Sequence, residues 1–121
     1  KIAENKWEVY VDNGREPTGK DVIEWAKEGE LLGAGEVMLT SIDKEGTKKG
    51  FDIELNKKVS DALTIPLICS GGAGKNEDVA DVILNSNIDA VSIASIFHYN
   101  IKSVDELKEY LIRDKKIHIR L

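Results

Sequence analysis

The sequence predicts an α/β protein in which short parallel strands alternate with amphipathic helices packed outside them. Two observations lead to this prediction. Apolar runs too short for helices alternate with longer segments whose apolar residues recur at helical spacing. The connections between them are short, and a repeated order of strand and helix of this kind builds a parallel sheet.

The amino-terminal part of the chain is predicted to form a hairpin arm and then a helix. In residues 7–11 large apolar or aromatic residues alternate with others, and Asn13-Gly14 tolerates the positive φ of a tight turn. Residues 20–32 carry apolar side chains at mostly helical spacing, and Gly33 marks the end of that helix.

Three apolar runs are predicted as buried strands because they are too short for helices: residues 36–42, 66–69 and 89–95. Helices are predicted over residues 52–63, 76–84 and 103–113. Asp52 is expected to cap the first of these, and the pattern Ser103–Glu106 is that of a capping box at the start of the last.

The strands read as apolar on both faces, which predicts helices on the outside and either helices or a closed barrel interior on the other side. A flavodoxin-like sheet and a TIM-type barrel both fit this pattern. Three strands cannot close a barrel by themselves. The length of 121 residues is that of one domain, so residues 1–121 are expected to form a single domain with its own core.

Composition excludes several classes of function. The 17 basic and 22 acidic residues give a net charge of -5, which predicts no nucleic-acid partner. No apolar run approaches the roughly 18 residues of a membrane span, so no membrane association is expected. Cys69 stands alone in an apolar run, which indicates a reduced core thiol and a cytoplasmic protein. Two histidines and one cysteine without ligand spacing predict no metal site, and no cofactor is expected.

The stretch Ser70–Lys75, SGGAGK, lies between a predicted strand and a predicted helix. Glycine lets backbone N–H groups approach an anion closely, and a helix amino terminus favours negative charge, so phosphate is one expected ligand. The stretch lacks the spacing and the Lys-Ser/Thr ending of a Walker loop, which disfavours an ATPase. A phosphate loop and a plain tight turn fit the spacing equally well.

Two other loops follow predicted strands and meet SGGAGK at the same edge of a parallel sheet. Ala94–His98 offers backbone N–H groups and the Ser95 hydroxyl, and in TIM barrels the loops after the last two strands commonly share one phosphate. The loop after the first strand carries Asp43 and Glu45. Such carboxylates serve as proton donors or acceptors where their pKa is tuned, but surface carboxylates are more often simply solvated.

The three loops belong to a larger set of motifs: Gly33–Asp43, Gly46-Thr47, Gly50–Asp52, SGGAGK and Ala94–His98. Over residues 7–121 this set closely resembles the cyclase subunit of imidazole glycerol phosphate synthase. The resemblance implies a partial (βα)8 TIM-type barrel, roughly its last three to four βα units, with parallel strands and outer helices. It also implies a reaction in which ammonia from a glutaminase subunit converts a phosphoribulosyl formimino carboxamide ribonucleotide to imidazole glycerol phosphate and an aminoimidazole carboxamide ribonucleotide.

The resemblance further implies roles for single residues. The positions that surround one phosphate of the small-molecule substrate are Ser70, Gly71, Gly72, Ala94 and Ser95, and Gly14 lies near the other phosphate. Thr40 matches a residue that lines the site. Glu36 matches a glutamate of the charged gate through which ammonia enters the barrel, with plain solvent exposure as its alternative.

Two departures from the family leave alternatives open. The two principal acid–base aspartates of the family lie before the matched segment, so this chain is expected to be a fragment that is inactive alone. Glu45, an auxiliary catalytic position, stands where the family usually has aspartate, and its extra methylene displaces the carboxylate by about one bond length. A cyclase-like paralogue of surface-sugar amidotransferases and a non-catalytic phosphate-binding half-barrel are therefore the alternatives. Open strand edges and an uncovered apolar face predict a homodimer or higher oligomer.

Overall fold

The computed structural model describes residues 1–99 and 103–120. Its first feature is the predicted hairpin arm, in which strand β1 (Glu8–Val11) pairs antiparallel with β2 (Glu16–Asp21). The turn between them contains Asp12, Asn13 and Gly14, all with positive φ. The hairpin is thus confirmed, and Asn13-Gly14 lies in its turn.

Helix α1 (Val22–Leu31) follows directly from the arm. The Oδ1 atom of Asp21 accepts hydrogen bonds from the N–H groups of Ile23 and Glu24, at 2.9 and 3.1 Å. These donors have no partner within the first helical turn, so Asp21 fixes where the helix begins. The predicted start at residue 20 is wrong because that residue still belongs to β2.

The three apolar runs form one parallel sheet and are confirmed as strands. They are β3 (Val37–Thr40), β4 (Leu67–Ser70) and β5 (Ala90–Ser92), in the order β3-β4-β5. The register pairs Thr40 with Ser70 and Ser70 with Ser92, so the three strands end side by side. The last strand is shorter than predicted because Ser95 already begins a helix.

The two faces of this sheet differ in burial, and one of them is uncovered, as expected of three strands that cannot close a barrel. On one face Leu67 and Cys69 are 1% and 0% exposed, whereas on the other Met38 is 58% exposed. Strand alternation and register assign to this second face Met38, Thr40, Ile68, Ser70, Ala90 and Ser92. We call it the open face; it is polar at the carboxyl ends of the strands.

Helices α2 (Ile53–Ala62) and α3 (Asn76–Ser86) pack against the covered face, and both are confirmed. Asp52 caps α2 as predicted, since its Oδ1 accepts from the N–H of Leu55 at 3.1 Å. Two core clusters result, and Ile88 packs against both. The buried members are Trp7, Ala26, Leu55, Val59 and Leu67 in one cluster, and Phe51, Cys69, Ala73, Val79, Ala80, Val82, Leu107 and Leu111 in the other.

The carboxyl-terminal segment contains α4 (Ser95–His98), α5 (Val104–Glu109) and a π-helical turn (Tyr110–Asp114). The predicted capping box is confirmed: Ser103 Oγ accepts from Glu106 N–H at 3.1 Å, and Glu106 Oε2 accepts from Ser103 N–H at 2.7 Å. The predicted helix therefore starts as expected, but its last turn has π rather than α geometry.

Two expectations from composition also bear on the fold. Cys69 is buried and forms no disulfide, as expected of a core thiol. No helix in the described part of the chain combines the length and the apolar character needed to cross a membrane.

Candidate functional site

A small pocket opens where the three parallel strands end. Its volume is about 50 Å³, several times the 10–15 Å³ that one water molecule requires, so it accommodates a group of a few atoms. The five residues expected around one phosphate all line it: Ser70, Gly71, Gly72, Ala94 and Ser95. Glu45 and Ser92 line it as well. The loops after β3, β4 and β5 thus contribute to one pocket.

Gly72 holds two of these loops together. Its φ is +114°, and a Cβ atom built on it would lie 2.3 Å from the carbonyl oxygen of Gly50. The N–H of Gly50 donates to the carbonyl oxygen of Gly72 at 2.9 Å. This close approach requires glycine whether or not a ligand binds. The glycines therefore do not by themselves indicate phosphate. An anion site would have to be indicated by the hydrogen-bond donors around the pocket.

The backbone N–H groups around the pocket divide into two sets. Those of Gly74 and Lys75 donate to Oδ2 of Asp78, at 2.8 and 3.0 Å, so the first turn of α3 already uses them. Those of Gly72 and Ser95, like those of Gly71, Ala73, Ile93 and Ala94, have no acceptor among the residues that the structure describes. These amides on the pocket wall are therefore left to donate to a ligand or to solvent.

The serine and threonine side chains also divide into those with a hydrogen-bond partner in the protein and those without one. Hydroxyls elsewhere in the fold hydrogen-bond to protein groups: Thr18, Thr47, Ser60, Thr64, Ser86 and Ser103. The serine and threonine hydroxyls with no partner in residues 1–99 and 103–120 all lie at or just beyond the carboxyl ends of β3, β4 and β5: Thr40, Ser41, Ser70, Ser92 and Ser95. Thr40 is exposed, but the other four are not, and polar groups that are not exposed are normally paired, so this concentration makes the strand ends a candidate ligand site.

A larger cavity, of about 830 Å³, lies between the arm, α1 and β3. Its size is that of pockets for small organic molecules. Thr40 and Gly14 both line it. Gly14 lies against the side chain of Ile42, whose Cδ1 would be 3.1 Å from a Cβ built on the glycine. The structure therefore places Gly14 with Thr40, outside the lining of the small pocket.

The two predicted acidic residues occupy opposite ends of β3. Glu45 lines both cavities, and its Oε2 is 3.0 Å from where a Cβ of Gly71 would be. Its N–H donates to the carbonyl oxygen of Ser41 at 2.9 Å, which fixes the loop against the end of the strand. Glu36 precedes β3, is exposed, and has no ion-pair partner among the described residues. The two carboxylates therefore cannot act on the same group.

The small pocket has little positive charge from side chains. Glu45 is the one charged side chain among its described lining residues. The Nζ atom of Lys48, in the same loop as Glu45, lies 4.0 Å from the centroid of the Tyr99 ring instead. No group of three or more His, Cys, Asp or Glu side chains in the described residues is arranged to hold a metal ion. An anion in this pocket would be bound by neutral donors.

Cys69 lies next to Ser70 in sequence but on the covered face of the sheet. Burial raises the pKa of its thiol to about 12, although a hydrogen bond with Asn56 acts in the opposite direction. A thiol with so high a pKa is protonated at neutral pH and is not a nucleophile.

Ser92 is a pocket residue that the sequence pattern did not single out. It lies in β5, directly opposite Ser70 in the register, and on the same open face. The signal that would have found it is the pairing of two strand ends, because parallel strands in register place such residues side by side.

Parallel strands, helices packed on one face and polar groups collected at the carboxyl ends of the strands fit the class of (βα) barrel proteins, of which three strands would form a part. The family model described as histidine biosynthesis protein matches residues 2–103, and the chain belongs to this TIM-barrel family. The predicted family and the predicted partial barrel are confirmed.

Curated relatives agree with this assignment. Imidazole glycerol phosphate synthase subunit HisF of Nitrosopumilus maritimus is 51% identical over 115 residues, which are 95% of this chain and 43% of the relative. The protein of the same name from Dehalococcoides mccartyi is 50% identical over 117 residues, 97% of this chain and 46% of the relative. The chain spans less than half the length of either relative.

Proposed function

We propose that the small pocket binds a phosphoryl group of the substrate, within the cyclase subunit of an imidazole glycerol phosphate synthase. The observation that supports this is the collection of unpartnered donors around it: the hydroxyls of Ser70 and Ser95 and the amides of Gly72 and Ser95. An ionised phosphoryl group offers several acceptor oxygens, and hydrogen bonds to such a group are stronger than neutral ones. It is the ligand that unpaired donors of this kind suit best.

The two cavities differ in size, and each is proposed to hold a different part of the substrate. A pocket of about 50 Å³ holds a phosphoryl group but not a base or a sugar. The remainder of the molecule extends into the cavity of about 830 Å³, which Thr40 and Gly14 both line. Its second phosphate is proposed to bind near Gly14. Because Glu45 borders both cavities, the substrate passes its carboxylate.

Glu45 is proposed as an auxiliary acid–base group. Its carboxylate lies at the junction where the atoms beyond the phosphate enter the larger cavity, so it can exchange a proton with them. The same negative charge opposes the bound phosphate. The two effects of Glu45 can be measured separately. Proton exchange changes turnover, and charge repulsion changes the affinity for phosphate.

The whole reaction requires more than this chain. In the proposed complete enzyme, ammonia from a glutaminase subunit enters at the end of the barrel marked by Glu36 and reacts with a phosphoribulosyl formimino carboxamide ribonucleotide. The products are imidazole glycerol phosphate and an aminoimidazole carboxamide ribonucleotide. The chain corresponds to 43% and 46% of its two relatives, so we expect it to be inactive alone.

Complementation tests the catalytic part of the proposal. This chain is mixed with the part of a HisF relative that it does not match, and cyclisation is followed with ammonium as the nitrogen source. We expect turnover in the mixture and none with either part alone. Phosphate binding without turnover in the mixture would favour the non-catalytic half-barrel instead.

Phosphate titration tests the binding part. Isothermal calorimetry with inorganic phosphate is expected to give about tenfold weaker binding by the Ser70→Ala variant than by the unaltered chain, because one hydrogen bond to a charged group is lost. Ser60→Ala is the matched control, since this hydroxyl donates to the carbonyl oxygen of Asn87 at 2.7 Å, away from the pocket. Equal loss in both variants, or none in either, would contradict the assignment of the pocket.

Association and location complete the proposal. The open face leaves Met38 58% exposed and both outer strands without a neighbour in the described sheet, so we propose that the chain forms a homodimer that covers this face. A cytoplasmic location, in which the single cysteine stays reduced, is part of the same proposal.

A further inference from the structure

We infer that Ser92 donates its hydroxyl to the phosphoryl group in the small pocket, as a ligand additional to Ser70 and Ser95. The inference rests on the proposed function and adds a binding residue to the same site. It assigns a task to the one unpartnered hydroxyl of the pocket that neither the loop motifs nor the matched family positions include.

The position of Ser92 follows from strand geometry. Ser92 is the last residue of β5, Ser70 is the last residue of β4, and the two are direct register partners. Side chains of register partners point to the same face of a sheet. Both residues line the pocket of about 50 Å³, so they occupy neighbouring parts of one wall.

The spacing allows both hydroxyls to bind one group. Neighbouring strands lie about 4.8 Å apart, and a hydrogen bond from a hydroxyl to an oxygen spans about 2.7 Å. Two such bonds together exceed the strand spacing, so a single oxyanion seated between β4 and β5 can accept from Ser70 and Ser92 at once. Ser95, one loop further on, then donates from a third direction.

The fold gives Ser92 no other task. Its hydroxyl has no hydrogen-bond partner in the described chain, and its side chain is half-buried rather than freely solvated. Its neighbour Val91 faces the covered side, where it packs against the core cluster around Cys69. Adjacent residues of β5 therefore separate the two roles: Val91 contributes to stability, and Ser92 contributes to binding.

This separation supplies a matched pair of variants. Calorimetry with inorganic phosphate is performed on the unaltered chain, Ser92→Ala and Val91→Ala, and thermal unfolding is recorded for each. We expect Ser92→Ala to bind phosphate about tenfold more weakly with an unchanged melting temperature, because it loses a bond to the ligand and none to the protein. Val91→Ala is expected to melt earlier and to bind with unchanged affinity. A third variant, Ser92→Thr, keeps a hydroxyl and is expected to retain most of the affinity.

The outcomes distinguish a failure of the role of Ser92 from a failure of the proposed phosphate pocket. If the unaltered chain binds phosphate, Ser70→Ala weakens binding and Ser92→Ala does not, the inference about Ser92 is overturned while the pocket assignment stands. If the unaltered chain does not bind millimolar phosphate at all, the proposed site fails and the inference fails with it. Weakened binding by Ser92→Ala accompanied by a lowered melting temperature, with no recovery in Ser92→Thr, also counts against a direct role.

Discussion

The two faces of the parallel sheet serve different purposes although they are made of the same three strands. On the covered face, Leu67 and Cys69 are 1% and 0% exposed and pack beneath α2 and α3. On the open face, Met38 is 58% exposed and the strand ends carry hydroxyls without protein partners. Because successive residues of a strand alternate between faces, one short strand supplies both the core and the binding groups.

The difference shows where this chain can be altered without unfolding it. Buried apolar residues lose both transfer free energy and packing when they are shortened, so the covered face determines stability. Residues of the open face are the ones proposed to bind a ligand or a second copy of the chain, so their replacement is expected to change affinity or association first.

Shortening one residue on each face is the strongest test. We expect Leu67→Ala to lower the free energy of unfolding by about 3 kcal/mol because it leaves a cavity in the core. Met38→Ala, on the open face of the neighbouring strand, is expected to lower it by less than about 1 kcal/mol in dilute monomer. Urea denaturation followed by circular dichroism measures both. Equal losses would show that the open face is as well packed as the covered one.

Cys69 reports on the covered face through its thiol. Because burial raises the pKa from its ordinary value of 9.0 to about 12, we expect alkylation by iodoacetamide at pH 8 to be on the order of 100-fold slower in the folded chain than in urea. The unfolded thiol ionises above about pH 9 and the folded one does not, so the free energy of unfolding should fall between pH 9 and 12. Cys69→Ala should lack that part of the fall. Rapid alkylation of the native chain would show that β4 is not covered.

Association tests the open face directly. We expect the chain to be dimeric at micromolar concentration and Met38→Glu to be monomeric, since a charge on this face opposes its burial against a second copy. Light scattering measures the mass, and circular dichroism verifies that the variant is folded. Leu84→Glu, at an apolar residue of α3 that is 60% exposed, is the control for one added negative charge. A monomeric unaltered chain would overturn the proposed homodimer.

The smallest expected effect concerns Glu45. Replacing it with Gln removes the negative charge that borders the phosphate pocket, so inorganic phosphate should bind about fivefold more tightly. In the complemented enzyme the same variant should turn over more slowly, because the acid–base group is gone. Tighter binding with unchanged turnover would remove Glu45 from the chemistry while leaving its place beside the pocket.

Local rules accounted for most elements of the fold. Asp52 and Ser103 cap helices as their residue types predict, and Asn13-Gly14 lies in the turn of the arm. The bounds of β2 are the exception: the hairpin was predicted, but its second strand contains Pro17 and Gly19, residues that disfavour strands. Its pairing with β1 fixes it, and the extent of a pairing between segments is not visible in a local pattern.

The sequence predicted which residues line the pocket but not which contacts hold them there. Ser70, Gly72 and Ser95 share a pocket as the loop order implied, since parallel strands end at one edge of the sheet. The sequence could not show that Gly72 is required by the carbonyl of Gly50, or that Asp78 already occupies two amides of the loop. These are contacts between segments, which a local sequence pattern does not reveal. Because they explain the glycines without a ligand, the hydroxyls and not the glycines support phosphate binding.

The most direct test of the phosphate pocket is a titration of the ¹⁵N-labelled chain with inorganic phosphate, followed by amide chemical shifts. The unpartnered amides of Gly72 and Ser95 should move together and saturate at one concentration, whereas those of Gly74 and Lys75, held by Asp78, should move much less. Shifts confined to Gly74, Lys75 and surface lysines, or no saturable shift at Gly72 and Ser95, would contradict the account.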